Sequence, residues 1–293
     1  MSRPRPEAPG ALPPGGPSLS RRIWNHTIIG TGTMAAALVI LPLALIVWHL
    51  LAHGLAGLSL EFFMRLPKPV GEAGGGMANA VAGTLILVGL GALIAVPVGV
   101  GAGVYLAEYG GGRFATLVRY TADVLSGVPS IVVGVAVYGL VVVPMGHFSA
   151  LAGGMALGIL MLPTIVRSTE EVVRLVPQSY RQAALALGAP RWKVAQQVVI
   201  PAASAGIVTV VLLALARAAG ETAPLLFTAL GNRFWSVALD APIASLPVFI
   251  YDYARAPYSD WNRQAWTGAL VLIMLVTVIS ALLRLTTRRI ARR

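Results

Sequence analysis

The chain has 293 residues, of which 57% are hydrophobic and only 11% are charged, with a net charge of +11 at pH 7 and no cysteine. A soluble domain ordinarily carries about a quarter charged residues, so this composition excludes an ordinary soluble protein. The lack of cysteine excludes disulfide frameworks and thiolate metal sites.

Long uncharged runs account for the low charge content and predict helices that cross a membrane. A span needs about 20 consecutive, mostly apolar residues. Runs without Asp, Glu, Lys or Arg cover residues 23–60, 73–107, 124–166, 194–216 and 264–283. We therefore expect an all-α membrane protein that crosses the bilayer several times.

The predicted elements begin with a tail and one helix. Residues 1–20 are rich in Pro, Gly and Ser and cannot bury a core, so we expect residues 1–22 to form a disordered tail. Residues 23–75 then supply the first transmembrane helix, at about 28–52, and an outer loop.

The remaining residues, 76–293, hold five further predicted spans. The second covers about 79–107. The uncharged run 124–166 is too long for one helix, and the turn signal at Pro144–His147 divides it into the third and fourth spans. The fifth is expected at about 195–230 and the sixth at about 264–286. The total is six transmembrane helices.

The basic residues orient these spans. Of the 22 Lys and Arg residues, sixteen fall on the side that holds both termini, five fall on the other side, and Arg217 lies within a span. Cytoplasmic loops of membrane proteins carry an excess of Lys and Arg, so both termini are expected in the cytoplasm. The positive charge thus reflects topology, and we expect no nucleic-acid partner.

The longest cytoplasmic connection, residues 167–201, is predicted to contain a short exposed helix. Pro177 can open a helix, residues 178–187 favour one, and Gly188 suits the left-handed position that ends it. Pro190 begins the next element. From composition alone this helix could lie on lipid as an amphipathic segment or present its small residues to a partner protein.

The same loop resembles the signature of ABC-importer permeases, in which E-A-A, G and I-x-L-P follow one another at fixed spacing. Here the matching residues are Gln182, Ala183, Ala184, Gly188 and Val198–Pro201. Gln182 replaces the usual Glu. The resemblance implies a type I ABC-importer permease fold with a cytoplasmic coupling helix that docks into a cleft of an ATPase subunit.

Several stretches are similar to phosphate permeases of the PstA type. They are LSGVPSIVVG (125–134), LPTIVRSTEEVVRLVP (162–177), ALALGAPRWKVAQQVVIPAASAGI (184–207) and RAAGETAPLLFTAL (217–230). The resemblance implies an ATP-driven phosphate importer. Its expected partners are a related permease subunit in a heterodimer, two ATP-binding subunits, an external phosphate-binding protein and membrane lipid.

Arg217 and Glu221 place opposite charges four residues apart inside the predicted fifth span. A charge within a bilayer is costly unless it is paired or faces a watered cavity. One interpretation is a buried lock between spans. The other, which we favour, is a substrate pathway that includes the polar Thr222, because a guanidinium offers donors that match an oxyanion.

Arg167, at the cytoplasmic end of the fourth span, is a second candidate for the pathway, although it suits an interfacial anchor equally well. Ser126, Ser130 and Thr164 could donate to an oxyanion, but hydroxyls in membrane helices more often bond their own backbone. The four histidines lack metal-ligand spacing. We expect no metal, no cofactor and no catalytic residues.

The absence of a GxxxxGK[ST] motif means that ATP hydrolysis by the P-loop route must take place on a separate subunit. Alternatives remain a permease for molybdate or sulfate, a secondary transporter and, less well supported, an intramembrane enzyme. The outer loops, about 53–78 and 231–263, combine balanced charge with aromatic residues. By the family resemblance they would dock the external binding protein, and they equally suit an interfacial aromatic belt.

Overall fold

The computed structural model of the chain describes residues 19–72 and 74–290. Within these ranges every regular element is helical, which confirms the predicted all-α fold. Residues 1–18, most of the predicted tail, lie outside the described residues. The helices are α1 (Leu19–Gly54), α2 (Leu60–Met64), α3 (Ala78–Glu108), α4 (Arg113–Gly127), α5 (Ser130–Met145), α6 (Ala150–Arg174), α7 (Gln178–Ala186), α8 (Arg191–Ala219), α9 (Ala223–Thr228), α10 (Leu246–Arg255) and α11 (Ser259–Ile290).

Five of the described helices are long and apolar enough to cross a membrane, namely α1, α3, α6, α8 and α11, and a bent pair can supply a sixth span. The pair consists of α4 and α5, which meet at 104°. Proline forces the residue before it into an extended conformation, and Val128, which precedes Pro129, has φ −74° and ψ 127°. The predicted third span is therefore divided between two helices that meet at a sharp bend.

The predicted turn at Pro144–His147 does separate α5 from α6. Gly146 ends α5 with φ +75°, a conformation that glycine adopts without a steric penalty. Ser149 then opens α6, because its side chain accepts a hydrogen bond from the Ala152 amide. The turn signal in the sequence was sufficient to place this boundary.

Helices α3 and α6 approach each other closely along a row of glycines that we call the α3–α6 seam. A Cβ atom on Gly91 would lie 3.1 Å from the backbone nitrogen of Gly158, and one on Gly103 would lie 2.6 Å from the Thr169 Cβ. Small residues allow this approach, and close packing is a main source of helix association in membranes. Leu87 beside the seam is fully buried.

The chain separates into two compact units, residues up to His49 and residues from Leu50 onward. In the first unit, α1 exposes apolar side chains such as Ile40 and Trp48. The Thr27 and Thr33 hydroxyls donate to the carbonyl oxygens of Ile23 and Ile29, one turn earlier. Such internal bonds satisfy polar groups where no water is available, as a membrane-spanning helix requires.

Candidate functional site

Arg217 lies in the last turn of α8, and Glu221 lies beyond the end of that helix. Because α8 stops at Ala219, the predicted continuation of the fifth span to residue 230 is wrong. Pro224 explains the interruption: it lacks an amide hydrogen, and its ring would clash with the carbonyl four residues earlier. The chain therefore turns, and α9 begins with this proline in its first turn.

The contact between the two charges is loose. The Arg217 Nε atom lies 3.8 Å from the Glu221 Oε1 atom, which is too long for a hydrogen bond. Within this chain the Arg217 side chain is 64% exposed and that of Glu221 is 18% exposed. Exposed ion pairs typically contribute less than about 1 kcal/mol. This geometry disfavours the interpretation of the pair as a buried lock between spans.

Both charged side chains line a small pocket of about 10 Å³ between α6 and α8, which has room for about one water molecule. Its other lining residues are Leu160, Met161, Thr164, Ala214 and Ala218. Thr164 is the one hydroxyl in this set, whereas the Ser126 hydroxyl donates to the Ala122 carbonyl within its own helix. Thr222 occupies the N-cap position of α9 without a side-chain hydrogen bond to that helix. The pocket thus combines a guanidinium, a carboxylate and a hydroxyl within an apolar wall.

Arg167 belongs to a different cluster, which we call the Glu170 hub. Its Nη1 atom lies 3.0 Å from Glu170 Oε2, and its Nε atom lies 2.8 Å from Asp123 Oδ1. Glu170 Oε1 also accepts hydrogen bonds from Arg119 Nε, at 2.7 Å, and from Arg174 Nη2, at 2.5 Å. The Glu170 side chain is only 1% exposed, so its charge depends on these arginines for compensation. The hub joins α4 to α6.

The Glu170 hub was not predicted from the sequence, although the spacing of its members on α6 could have indicated part of it. Arg167, Glu170 and Arg174 stand three and four residues apart, the spacing that places side chains on one helical face. Arg119 is 51 residues from Glu170, and no spacing rule connects them. Within the described ranges, no group of three or more His, Asp or Glu residues could hold a metal ion. The acidic groups of this cluster are instead held by arginines.

The short helix predicted within residues 167–201 is α7, which follows Pro177 and ends before Gly188. Gly188 has φ +82°, and its amide donates to the Leu185 carbonyl at 2.9 Å. Gln182, Ala183 and Gly188 are exposed and Ala184 is half-buried. This helix therefore presents a surface of small residues. That surface is continued by Leu187, whose side chain is 88% exposed.

The segment after α9 carries an aromatic cluster around α10. Tyr253 stacks on Trp261 with ring centroids 4.3 Å apart, and the Arg233 guanidinium lies 5.1 Å from the centre of the Trp261 ring. Desolvation by burial raises the pKa of the Tyr253 hydroxyl, and Arg233 opposes the shift. Desolvation also raises the pKa of Asp252 above its ordinary value of 3.8, against the opposing charges of Arg233 and Arg255. This segment is a compact and partly desolvated surface.

The chain is similar to a family of membrane transport components and to individual permeases. The family described as "Binding-protein-dependent transport system inner membrane component" matches residues 99–293. The phosphate transport system permease protein PstA of Yersinia pestis is 44% identical over 255 residues, which are 86% of this chain and 86% of that protein. The PstA of Xylella fastidiosa is 47% identical over 262 residues, 89% of this chain and 91% of the relative.

A more distant relative and a solved structure agree with these matches. PstA 1 of Mycobacterium tuberculosis is 38% identical over 273 residues, 90% of this chain and 87% of that protein. A chain of the inward-facing MetNI methionine ABC transporter superposes with a TM-score of 0.52. It is 22% identical, and the match covers 73% of this chain and 92% of the other. At that identity the structural likeness concerns the fold.

Proposed function

Because the chain belongs to the family of binding-protein-dependent transport system inner membrane components, and within it to the PstA phosphate permeases, we propose that Arg217 and Glu221 line the path of phosphate through it. The chain is the membrane permease subunit of an ATP-driven phosphate importer and is not itself an ATPase. The observation that carries the proposed path is the position of Arg217 at the end of a membrane-spanning helix, with most of its side chain exposed.

Exposure of Arg217 on the isolated chain supports a path shared with a second permease. A guanidinium that faced hydrocarbon would be unfavourable, and the cost rises with depth to about 2.5–3.5 kcal/mol at the helix centre. A related permease packed against this face would instead enclose it in an aqueous passage. The proposed assembly therefore contains a heterodimer of related permeases, two ATP-binding subunits and an external phosphate-binding protein, in the bacterial inner membrane with both termini in the cytoplasm.

The loose pairing with Glu221 suits conduction. The guanidinium offers a planar fork of donors that matches two phosphate oxygens. Because the Glu221 carboxylate is 3.8 Å away and lies on a turn, phosphate can take its place without first breaking a tight hydrogen bond. When the carboxylate returns it competes for the same guanidinium, which weakens the hold on the anion. A conducting site needs binding that favours entry and still permits exit.

The other candidates receive distinct roles. Thr164 adds a hydroxyl donor beside the pair, and Thr222 lies on the turn that carries Glu221. Arg167 is the nearest hub residue along α6, three residues after Thr164, and the proposal places it at the cytoplasmic exit of the path. It is shared between Glu170 and Asp123, so an anion there would have to displace a carboxylate as well.

The coupling loop supplies the proposed link to ATP. Gln182, Ala183, Ala184 and Gly188 form the surface that would dock into the ATPase subunit. The uncharged Gln182 can offer hydrogen bonds there but no ion pair. Closure of the ATPase dimer on ATP would move this loop and change the side on which the passage opens.

The test is phosphate uptake in cells or liposomes that depend on this chain. We expect Arg217→Gln to reduce uptake at least a hundredfold while insertion and complex assembly persist, and Arg217→Lys, which keeps the charge but loses the fork, to retain part of it. Arg21→Gln, an exposed arginine at the start of α1, is the matched control. Normal uptake by Arg217→Gln would refute the path. Stronger inhibition of labelled phosphate uptake by unlabelled molybdate or sulfate than by unlabelled phosphate would refute phosphate as the substrate.

A further inference from the structure

Arg181 connects the coupling loop to the end of α3 through an enclosed ion pair. It lies in the first turn of α7, and its Nε and Nη2 atoms approach Glu108 Oε1 at 2.9 Å and 2.6 Å. Glu108 is the last residue of α3. The two side chains are only 11% and 12% exposed, so water screens the pair weakly.

The same guanidinium also bonds the end of α6, at Val173, and the connection that follows it, at Val176. Its Nη1 atom donates to the Val176 carbonyl at 2.5 Å, and its Nη2 atom donates to the Val173 carbonyl at 2.9 Å. Carbonyl groups at a helix C-terminus have no partner within the helix, and a cation there also complements the helix dipole. One side chain therefore bonds α3, α6 and α7 together.

The connection between α6 and α7 is short and only partly packed, because Val176 is buried in it whereas Leu175 is exposed. Only residues 175–177 connect α6 to α7, and the Leu175 side chain in this connection is 81% exposed. At its other end α7 is followed by Gly188 in the left-handed conformation and by Pro190. The guanidinium of Arg181, in the first turn of α7, adds a side-chain restraint across this short connection.

The helices that Arg181 bonds are packed against each other, and this packing extends to the proposed phosphate path. Below the guanidinium, Val104 of α3 and Val173 of α6 share an apolar cluster with Val194 and Val199 of α8. Farther along, α3 and α6 are held together at the α3–α6 seam. Helix α6 then contributes Thr164 to the pocket that Arg217 and Glu221 line.

We propose that Arg181 is the positioning residue that transmits movement of the coupling loop to the α3–α6 pair, with Glu108 as its receiving partner. This inference rests on the proposed function and extends it to a residue outside the phosphate path. A movement of α7 is passed through the ion pair to the end of α3 and through the Val173 carbonyl to the end of α6. Without the guanidinium, α7 turns about residues 175–177 and the ATPase cycle no longer moves the path.

The experiment measures phosphate imported per ATP hydrolysed by the full transporter in liposomes, with the external binding protein supplied. We expect Arg181→Ala and Glu108→Gln to lower this ratio at least tenfold, with ATP hydrolysis within about twofold of the wild type. Arg113→Ala is the matched control, because Arg113 is exposed and begins the helix that follows α3. A ratio equal to that of the wild type in Arg181→Ala would overturn the proposal.

Two further variants separate positioning from simple stabilisation. Arg181→Lys keeps the charge and most of the packing but lacks the fork, so we expect an assembled complex with a lowered ratio. If Arg181→Lys couples normally, the proposal is wrong. The chain contains no cysteine, so the double variant Arg181→Cys with Glu108→Cys offers one pair of attachment points in this subunit. Bridging this pair with a short bifunctional thiol reagent should restore the ratio, and no recovery after bridging contradicts the proposal.

The same liposomes distinguish this inference from the proposed function. If the wild-type complex hydrolyses ATP and imports no phosphate, the proposed function fails. If the wild type imports phosphate and the Arg181 variants do so with the normal ratio, only the inference about Arg181 fails.

Discussion

Replacing Glu170 with Gln tests whether one buried carboxylate holds α4 and α6 together. The Glu170 side chain is 1% exposed and accepts from Arg119, Arg167 and Arg174. Removing one member of a buried ion pair costs about 3–5 kcal/mol, because the remaining charge loses its compensation. Arg174 is 56% exposed and recovers water readily, and Arg167 keeps its ion pair with Asp123, so most of the loss comes from Arg119, which is 23% exposed.

The assay is thermal unfolding of the purified protein in detergent. For a chain of this size each kcal/mol corresponds to about 2–4 °C, so Glu170→Gln should lower the Tm by roughly 10 °C. Glu171→Gln is the matched control, since it removes a carboxylate from the next residue, which is exposed. Adding Arg119→Ala to Glu170→Gln should cost less than the two single changes summed. A Tm for Glu170→Gln within about 2 °C of the Glu171→Gln value refutes the reasoning.

Gly188, which follows α7, and Asp252, within α10, allow two further tests. Gly188→Arg should abolish co-purification of the ATPase subunit, because it adds a large cation to the proposed docking surface at a residue with φ +82°. Gly188→Asn, which tolerates that conformation, should retain co-purification. Equal loss in both variants would contradict docking at this surface. The raised pKa of Asp252 means that the folded state binds a proton more readily than the unfolded state, so this group lowers stability as pH rises above its ordinary value of 3.8. Asp252→Asn should therefore increase the Tm at pH 7 relative to the wild type and not below pH 3.8, and an unchanged difference across this range would exclude the effect.

The fold was predictable because its main signals are local in the sequence. Uncharged runs of sufficient length located the spans, and the combination of Pro144 and Gly146 located the turn between α5 and α6. Helix α7 was equally predictable from the sequence, because Pro177 and Gly188 mark its two ends within twelve residues. These features depend on chain stiffness and backbone conformation, and distant parts of the chain have little influence on them.

Features that depend on packing were not predictable. Apolarity continues through Val128–Pro129 and past Ala219, so hydropathy concealed both the bend of α4 against α5 and the end of α8. In each case a proline was present in the sequence, but prolines such as Pro97 and Pro163 lie inside unbroken helices. Whether a proline ends a helix depends on the neighbours that satisfy the freed backbone groups. The pairing of Arg181 with Glu108, 73 residues apart, likewise exists only in the folded chain.

The outward-facing guanidinium of Arg217 has a consequence for the stoichiometry of synthesis. A copy of this subunit made in surplus, without the proposed second permease, leaves this cation uncovered. A charge that is neither paired nor hydrated is costly in a bilayer, so such a copy is expected to be less stable than a paired one. If Arg217 handles the anion as proposed, the same charge also favours balanced production of the two chains.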